Sequence, residues 1–208
     1  MKMIVKLIIY TMMIGMTISL SGQDGVQMDK NDEEKRTKIA TFAGGCFWCM
    51  QPPFDNTEGV TSTRVGYTGG EVPNPTYHEV TSGETGHAEA IEIVFDPEVV
   101  SFIDLLEIFW HNIDPTVKNR QFADRGTQYR TAIFYHSEEQ NKAAEQSRDE
   151  LEKSGKFENP IVTEISPVSE FYEAEVYHQD YYLKNSIHYK NYKIGSGRAG
   201  YLEKTWGK

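Results

Sequence analysis

The sequence predicts an α+β domain built on a mainly antiparallel sheet covered by helices. Three observations predict it. From Lys38 onward the elements run strand, helix, strand, strand, helix, strand, helix, strand, with no internal repeat. The segment 88–95 alternates, setting Glu89, Ile91, Ile93 and Phe95 against Ala90, Glu92 and Val94, which is the period of a strand. Ser101 and Ser137 each stand before a helical pattern, where N-caps belong.

The elements follow in order. Residues 39–43 are an apolar run that reads as a buried strand. Gly44 and Gly45 then let the backbone turn and approach a ligand closely. Next comes Cys46-Phe47-Trp48-Cys49, which holds both cysteines of the chain. A helix starting here would place the two cysteine Cα atoms about 5 Å apart, within disulfide range. It would also set a thiol at the positive end of the helix dipole, which lowers its pKa. Pro52 and Pro53 either kink this short helix or mark where it restarts. Residues 61–67 read as a strand and 68–85 as a loop rich in Gly, Pro, Asn and Ser. Asp96-Pro97 ends the strand over 88–95. Ser101 caps a helix with Asp104 three residues on, and Phe102, Leu105, Leu106 and Phe109 form its apolar stripe. Asp114-Pro115 ends it. Residues 116–127 read as loop and 129–135 as a strand. Ser137 caps a polar helix running to about Lys153, which Gly155 terminates. A strand over 161–165 and one more helix within 171–182 precede a Tyr- and Gly-rich tail read as loop.

Length and charge narrow the function. The 208 residues suffice for one domain with a core and extensions, and 12% aromatic content suits a globular enzyme. A net charge of −10 leaves no basic surplus for phosphates and argues against a nucleic-acid binder. At the N-terminus, Lys2 and Lys6 flank the uncharged run 7–20, too short for a membrane span and suited to a signal peptide. The expected organisation is a signal peptide or signal anchor over 1–21, a polar linker over 22–37 and the catalytic domain over 38–208. Gln23 stands where a lipoprotein would carry its acylated Cys, so no lipid anchor is expected. Export to the periplasm or cell envelope follows, and there a reactive cysteine pair tends to become a disulfide unless a dedicated donor reduces it.

Two further patterns are weaker. Gly195-Ser196-Gly197-Arg198-Ala199-Gly200 fits a dinucleotide fingerprint but lacks a strand-helix-strand unit around it. His87-Ala88-Glu89 resembles the zinc-deaminase motif, yet Cys46 and Cys49 precede it and no Pro stands before Cys46. No second Cys or His pair completes a four-ligand zinc site, so no metal is expected. Tyr77, Tyr129 and Asp124 each have an ordinary structural reading. Glu89, at a loop-to-strand junction, stands where functional side chains gather.

Taken together these motifs form a pattern. Gly45-Cys46-Phe47-Trp48, Gly66-Tyr67-Thr68-Gly69-Gly70, Asn74-Pro75-Thr76-Tyr77, Ser82-Gly83-Glu84-Thr85-Gly86-His87-Ala88-Glu89, Asp114-Pro115 and Asp124-Arg125-Gly126-Thr127-Gln128-Tyr129-Arg130 occur in the order found in A-class peptide methionine sulfoxide reductases. The chain resembles that family over roughly 38–195. The resemblance implies a ferredoxin-like core and reduction of methionine-S-sulfoxide. It implies that Cys46 is the catalytic thiol, Phe47 and Trp48 the pocket for the substrate methyl group, Glu89 the acid, Tyr77 and Tyr129 hydroxyl donors, and Asp124 a supporting pocket residue. Cys46 would attack the sulfoxide sulfur and become a sulfenic acid, Cys49 would condense with it, and a thioredoxin-like dithiol would reduce the resulting disulfide. No bound cofactor is implied, and a monomer is expected. Many relatives carry Gly at the position of Cys49 and resolving cysteines in the tail; this tail has none. Many also carry Glu at the position of Gln51. The competing readings are a generic thiol-disulfide oxidoreductase and a zinc-binding module.

Overall fold

A computed structural model describes residues 37–207, so the expected signal segment and most of the linker lie outside the described residues. Among these residues no helix is long and apolar enough to cross a membrane. The architecture is mixed α+β, with a central, mostly antiparallel sheet flanked by helices.

The strands are β1 (Lys38–Gly44), β2 (Val60–Thr68), β3 (Ala88–Phe95), β4 (Arg120–Gln121), β5 (Asp124–Arg125), β6 (Thr131–Tyr135), β7 (Glu164–Pro167) and β8 (Tyr172–Glu173). The helices are α1 (Phe47–Asp55), α2 (Tyr77–Ser82), α3 (Phe102–Trp110), α4 (Glu138–Lys153), α5 (Tyr181–Lys184), α6 (Ser186–Gly195) and α7 (Arg198–Trp206). Six strands form one sheet in the order β7-β6-β1-β3-β2-β8, and β4 and β5 form a small hairpin. Every pairing in the large sheet is antiparallel except β6 with β7.

The strand β3 is central, and its apparent half-polar alternation does not translate into an exposed face. Only Val94 is partly exposed. One face carries Ile91, Ile93 and Phe95 into the main core beneath α1, α3 and α4. The opposite face uses small residues, Ala88 and Ala90 beside Ala43 and Ala132, so that Phe134, Val168 and Phe171 can cover it. The buried Glu92 on that face is paired with Arg64 at 2.6 Å. In the main core the Phe42 ring stacks on Phe54 at 5.7 Å and on Phe109 at 5.0 Å.

Both predicted caps form: Ser101 makes a full capping box with Asp104, and the Ser137 hydroxyl accepts from the Gln140 amide. The prolines do not break α1, which runs through Pro52 and Pro53 and ends two residues later. So near the end of a short helix, the missing amides cost only the bonds to the Trp48 and Cys49 carbonyls.

Several boundaries differ from expectation. The loop 68–85 contains α2, started by a capping box between Thr76 and Glu79 and stopped by Gly83 at φ +81°. The loop 116–127 contains the β4-β5 hairpin. The strand expected from residue 129 begins at Thr131, because 127–129 form a 3-10 turn after Gly126. The strand expected over 161–165 begins at Glu164, since the Val162 amide is spent on the Pro115 carbonyl. The largest correction is the tail. Instead of one helix over 171–182 and then loop, it forms β8, α5, α6 and α7. Neither α5 nor α6 buries a residue fully, so the aliphatic stripe that signals a helix is missing.

Candidate active site

The site forms where β1 ends and α1 begins. Gly45 turns the chain at φ +80°, and a Cβ there would lie 2.4 Å from the Gln121 side chain. No other residue fits that corner. Gln121 is fixed in turn by Asp114, whose amide donates to Gln121 Oε1 and whose carbonyl accepts from Gln121 Nε2. Cys46 takes the N-cap position and Cys49 closes the first turn, its amide donating to the Cys46 carbonyl at 3.0 Å. Both are free thiols and both are buried.

Glu89 meets this turn from the sheet. It lies on the same face of β3 as Ile91 and Ile93, the face beneath the helices. Its Oε2 accepts the Phe47 amide at 3.0 Å. The carboxyl is only 2% exposed, and burial pushes its pKa up to about 8 against the pull of the Phe47 amide. Glu89 is therefore a carboxylic acid at neutral pH, not a solvated strand residue.

The thiols behave differently from the helix-dipole expectation. Cys46 is held well above the usual thiol range, first by burial and then by the neighbouring Cys49 and the charge of Glu89. Those effects outweigh the helix N-terminus. Cys49 is pulled down to about 7, chiefly by the hydrogen bond from Cys46, with Arg198 and Lys193 adding to it. In the resting pair Cys49 ionises first.

The predicted hydroxyls converge on the same volume. Tyr77 opens α2, whose first amide is held by Glu175 Oε1 at 2.9 Å. Tyr129 is set by the 3-10 turn, and Arg130 locks that turn by donating to the carbonyls of Thr127 and Gly69. Both phenols are shifted upward by burial and by the nearby Glu89 and Cys46. Asp124, on β5, also faces them and is itself raised by burial. Phe47 is buried against Tyr67, with ring centres 6.0 Å apart. Trp48 lies flat on Tyr181 at 3.8 Å and donates from Nε1 to His178 Nδ1 at 3.0 Å. All eight residues singled out in the sequence thus border one site.

His87 stands apart from the thiols. Its Nδ1 accepts the Gly70 amide and its Nε2 donates to the Val72 carbonyl, so both ring nitrogens are used in holding the loop. Among the described residues no group of three or more Cys, His, Asp or Glu side chains is placed to hold a metal ion.

The family model for peptide methionine sulfoxide reductase matches residues 38–208. The chain belongs to that family. A peptide methionine sulfoxide reductase MsrA of Bacillus pumilus is 54% identical over 172 residues, spanning 83% of this chain and 97% of its own length. One from Bacillus subtilis is 54% identical, spanning 83% and 98%. Among solved structures, reduced Mxr1 from Saccharomyces cerevisiae superposes with TM-score 0.69 at 34% identity, covering 73% of this chain and 87% of its own. Methionine sulfoxide reductase A of Corynebacterium diphtheriae gives TM-score 0.66 at 37% identity, covering 73% and 76%.

In this reductase the tail supplies residues that sequence reasoning missed. Tyr192 on α6 donates to Asp124 Oδ2 and packs edge-on to Trp48 at 5.9 Å, and burial together with the nearby Cys46 and Asp124 pushes its phenol upward. Arg198, only 2% exposed, donates to the Gly44 carbonyl at 2.8 Å and the Asn112 carbonyl at 2.6 Å, and lies 4.7 Å over the Phe122 ring. His178, held near pKa 4 by burial, is neutral and positions the Trp48 indole. The only sequence signal for these residues was the density of Tyr in a stretch without an aliphatic pattern.

Gln51 has a structural occupation. Its Nε2 donates to Thr63 Oγ1 and Asp180 Oδ1, each at 3.1 Å, and its Oε1 accepts the Asp180 amide at 3.0 Å. It ties α1 to the start of α5. A carboxylate at 51 would face Asp180 and lose both donors. Gln51→Glu is therefore expected to lose about 1–3 kcal/mol in denaturant unfolding at neutral pH; an unchanged midpoint would show that this tie is not needed.

Proposed function

We propose that the chain reduces methionine-S-sulfoxide, free or in proteins, to methionine. The observation that carries this reading is Glu89, a buried acid protonated at neutral pH and held against the first turn that bears Cys46. A sulfoxide sulfur is a poor electrophile until its oxygen is protonated or hydrogen-bonded. Glu89 supplies the proton, and Tyr77 and Tyr129 supply neutral O–H donors, since burial keeps both phenols protonated. Phe47 and Trp48 offer the apolar surface for the methyl group. The Cys46 thiolate attacks sulfur, the oxygen passes to Cys46 as a sulfenic acid, and methionine leaves.

Cys49 is the resolving thiol. It sits one turn from Cys46 and ionises near neutrality, so its thiolate attacks the Cys46 sulfenic sulfur; the S–O bond breaks, the departing hydroxide takes a proton from solvent to become water, and a Cys46–Cys49 disulfide closes. Mxr1 forms a complex with Trx2; a dithiol donor of that thioredoxin kind is the proposed reductant here. The disulfide reading makes the protein a repair enzyme for oxidised methionine. Export to the periplasm or cell envelope, a monomeric state and the domain limits read from the sequence complete the proposal. The path β1-α1-β2-β3-α3-β6, with sheet order β6-β1-β3-β2, supports the ferredoxin-like description of the core.

The test is turnover with dithiothreitol on the separated S and R epimers of a methionine sulfoxide peptide. Reduction of S alone is expected. Reduction of neither epimer sinks the reading, and insulin disulfide reduction without sulfoxide turnover would favour a general thiol-disulfide oxidoreductase.

A further inference from the structure

The two phenols assigned to the sulfoxide oxygen come from separate parts of the fold, Tyr77 from α2 and Tyr129 from the 3-10 turn 127–129. One side chain joins those parts. Gln128, the neighbour of Tyr129, is buried, and its Nε2 donates to the Thr81 carbonyl in the last turn of α2 at 3.0 Å. Thr81 stands four residues after Tyr77, so the bond falls on the face of α2 that carries Tyr77. The carbonyl accepts only a donor, which fixes the direction of the amide. Gln128 Oε1 is then buried without a donor among the described residues. It lies against Gly126, where a Cβ would stand 2.2 Å from it. A buried acceptor left unpaired disfavours the fold. Stability alone therefore does not account for an amide at this position.

We propose that Gln128 is a positioning residue: its bond to Thr81 sets the Tyr77 hydroxyl against the Tyr129 hydroxyl around the sulfoxide oxygen. This rests on the sulfoxide-reductase reading above. The two phenols are linked by a short path, from the Tyr129 backbone through the Gln128 side chain to the Thr81 carbonyl and along one helical turn to Tyr77.

The two ends of that path are not equally secure. The turn is held without Gln128, since Arg130 donates to the carbonyls of Thr127 and Gly69. The helix α2 has six residues and is pinned from its start, where Glu175 Oε1 accepts the Tyr77 amide, and by the buried Val80. The other tie between its far end and the turn is longer, from the exposed Thr127 hydroxyl to the Gly83 carbonyl at 3.4 Å. Loss of the Gln128 bond thus loosens α2 and shifts Tyr77, while Tyr129 keeps its place. A donor displaced by about 1 Å from a developing charge loses much of its effect.

The test is the rate at which the first equivalent of methionine is released from a saturating S-sulfoxide peptide, without reductant. Gln128→Leu removes the bond to Thr81 and the unpaired Oε1 together, so it should fold. It should slow release about tenfold. In a Tyr77→Phe protein the same Gln128→Leu should slow release by less than about twofold, because no hydroxyl remains to be misplaced. A merely structural role predicts the same loss in both backgrounds, and that result overturns the proposal. So does an unchanged rate in Gln128→Leu, or a Tyr77→Phe protein as fast as the parent. Thermal melting checks that each variant is folded; if Gln128→Leu is not, Gln128→Met is read in the same way. Failure of both to fold assigns Gln128 to the fold and also overturns the proposal. A parent that reduces neither epimer fails the function reading, whereas an active parent with equal losses in the two backgrounds fails the positioning role alone.

Discussion

Glu89→Gln should lower S-sulfoxide reduction at neutral pH about 100- to 1000-fold and also change the shape of the pH profile. The parent needs Glu89 protonated and Cys46 ionised. Glu89 titrates near 8 and Cys46 sits well above its usual range, so the productive combination is a minor one. A rate that rises, levels and falls again at high pH is expected, with limbs that belong to the pair as a whole. An amide cannot ionise, so the Glu89→Gln profile should rise to a plateau without the fall. Persistence of the high-pH fall in that variant would remove Glu89 from the acid role.

The same substitution has a stability signature of known sign. The folded carboxyl titrates near 8, above the unfolded value, so the unfolded chain releases the proton first as pH rises. Parent stability should therefore decline between about pH 4.5 and 8 from this group. Glu89→Gln keeps an oxygen for the Phe47 amide but lacks the titration, and its melting temperature should fall less over that window. A catalytic loss accompanied by this relative gain would identify Glu89 as a group held in its protonated form at the expense of the fold.

The second large effect concerns the two thiols. Cys46→Ala should consume no sulfoxide under any reductant. Cys49→Ala should consume one equivalent and stop with a thioredoxin-type donor, leaving a sulfenic acid on Cys46 that a dimedone adduct and mass spectrometry would locate. The ground is geometric: these are the only cysteines in the chain, and Cys49 lies one helical turn from Cys46. Continued turnover of Cys49→Ala with that donor would show that it attacks the sulfenic acid directly. The burial of Cys46, at 6% exposure, makes that route slow for a protein-sized donor.

Much of the site was legible because its chemistry lies in local motifs. The double glycine before Cys46, the Thr85-Gly86-His87-Ala88-Glu89 junction and the Asp124–Tyr129 stretch each fix a side chain through backbone geometry within a few residues. The capped helices were readable for the same reason, since Ser101 with Asp104 and Ser137 with Gln140 act over three residues. The short helix α2 was readable in principle: Thr76 and Glu79 form the same kind of box, hidden in a stretch whose glycines and prolines suggested loop.

By itself the sequence determined the α+β class, the order of the principal elements and the cysteine turn, because short-range periodicity, caps and glycine turns encode those directly; the side chains expected around that turn came from the resemblance of the motif set to a known family. Only the tertiary structure decided the state of the acid, the order in which the thiols ionise and the role of the tail. Glu89 is buried because the turn at Phe47 packs over its face of β3, a contact between residues 42 positions apart that the strand's alternation does not encode. The direction of the Cys46 shift is a balance of desolvation, Cys49 and Glu89 against the helix end, and no spacing in the sequence sets that balance. Tyr192 and Arg198 reach the site from helices held by ring stacking and buried hydrogen bonds, contacts between residues about 70 to 150 positions apart that leave no periodic trace.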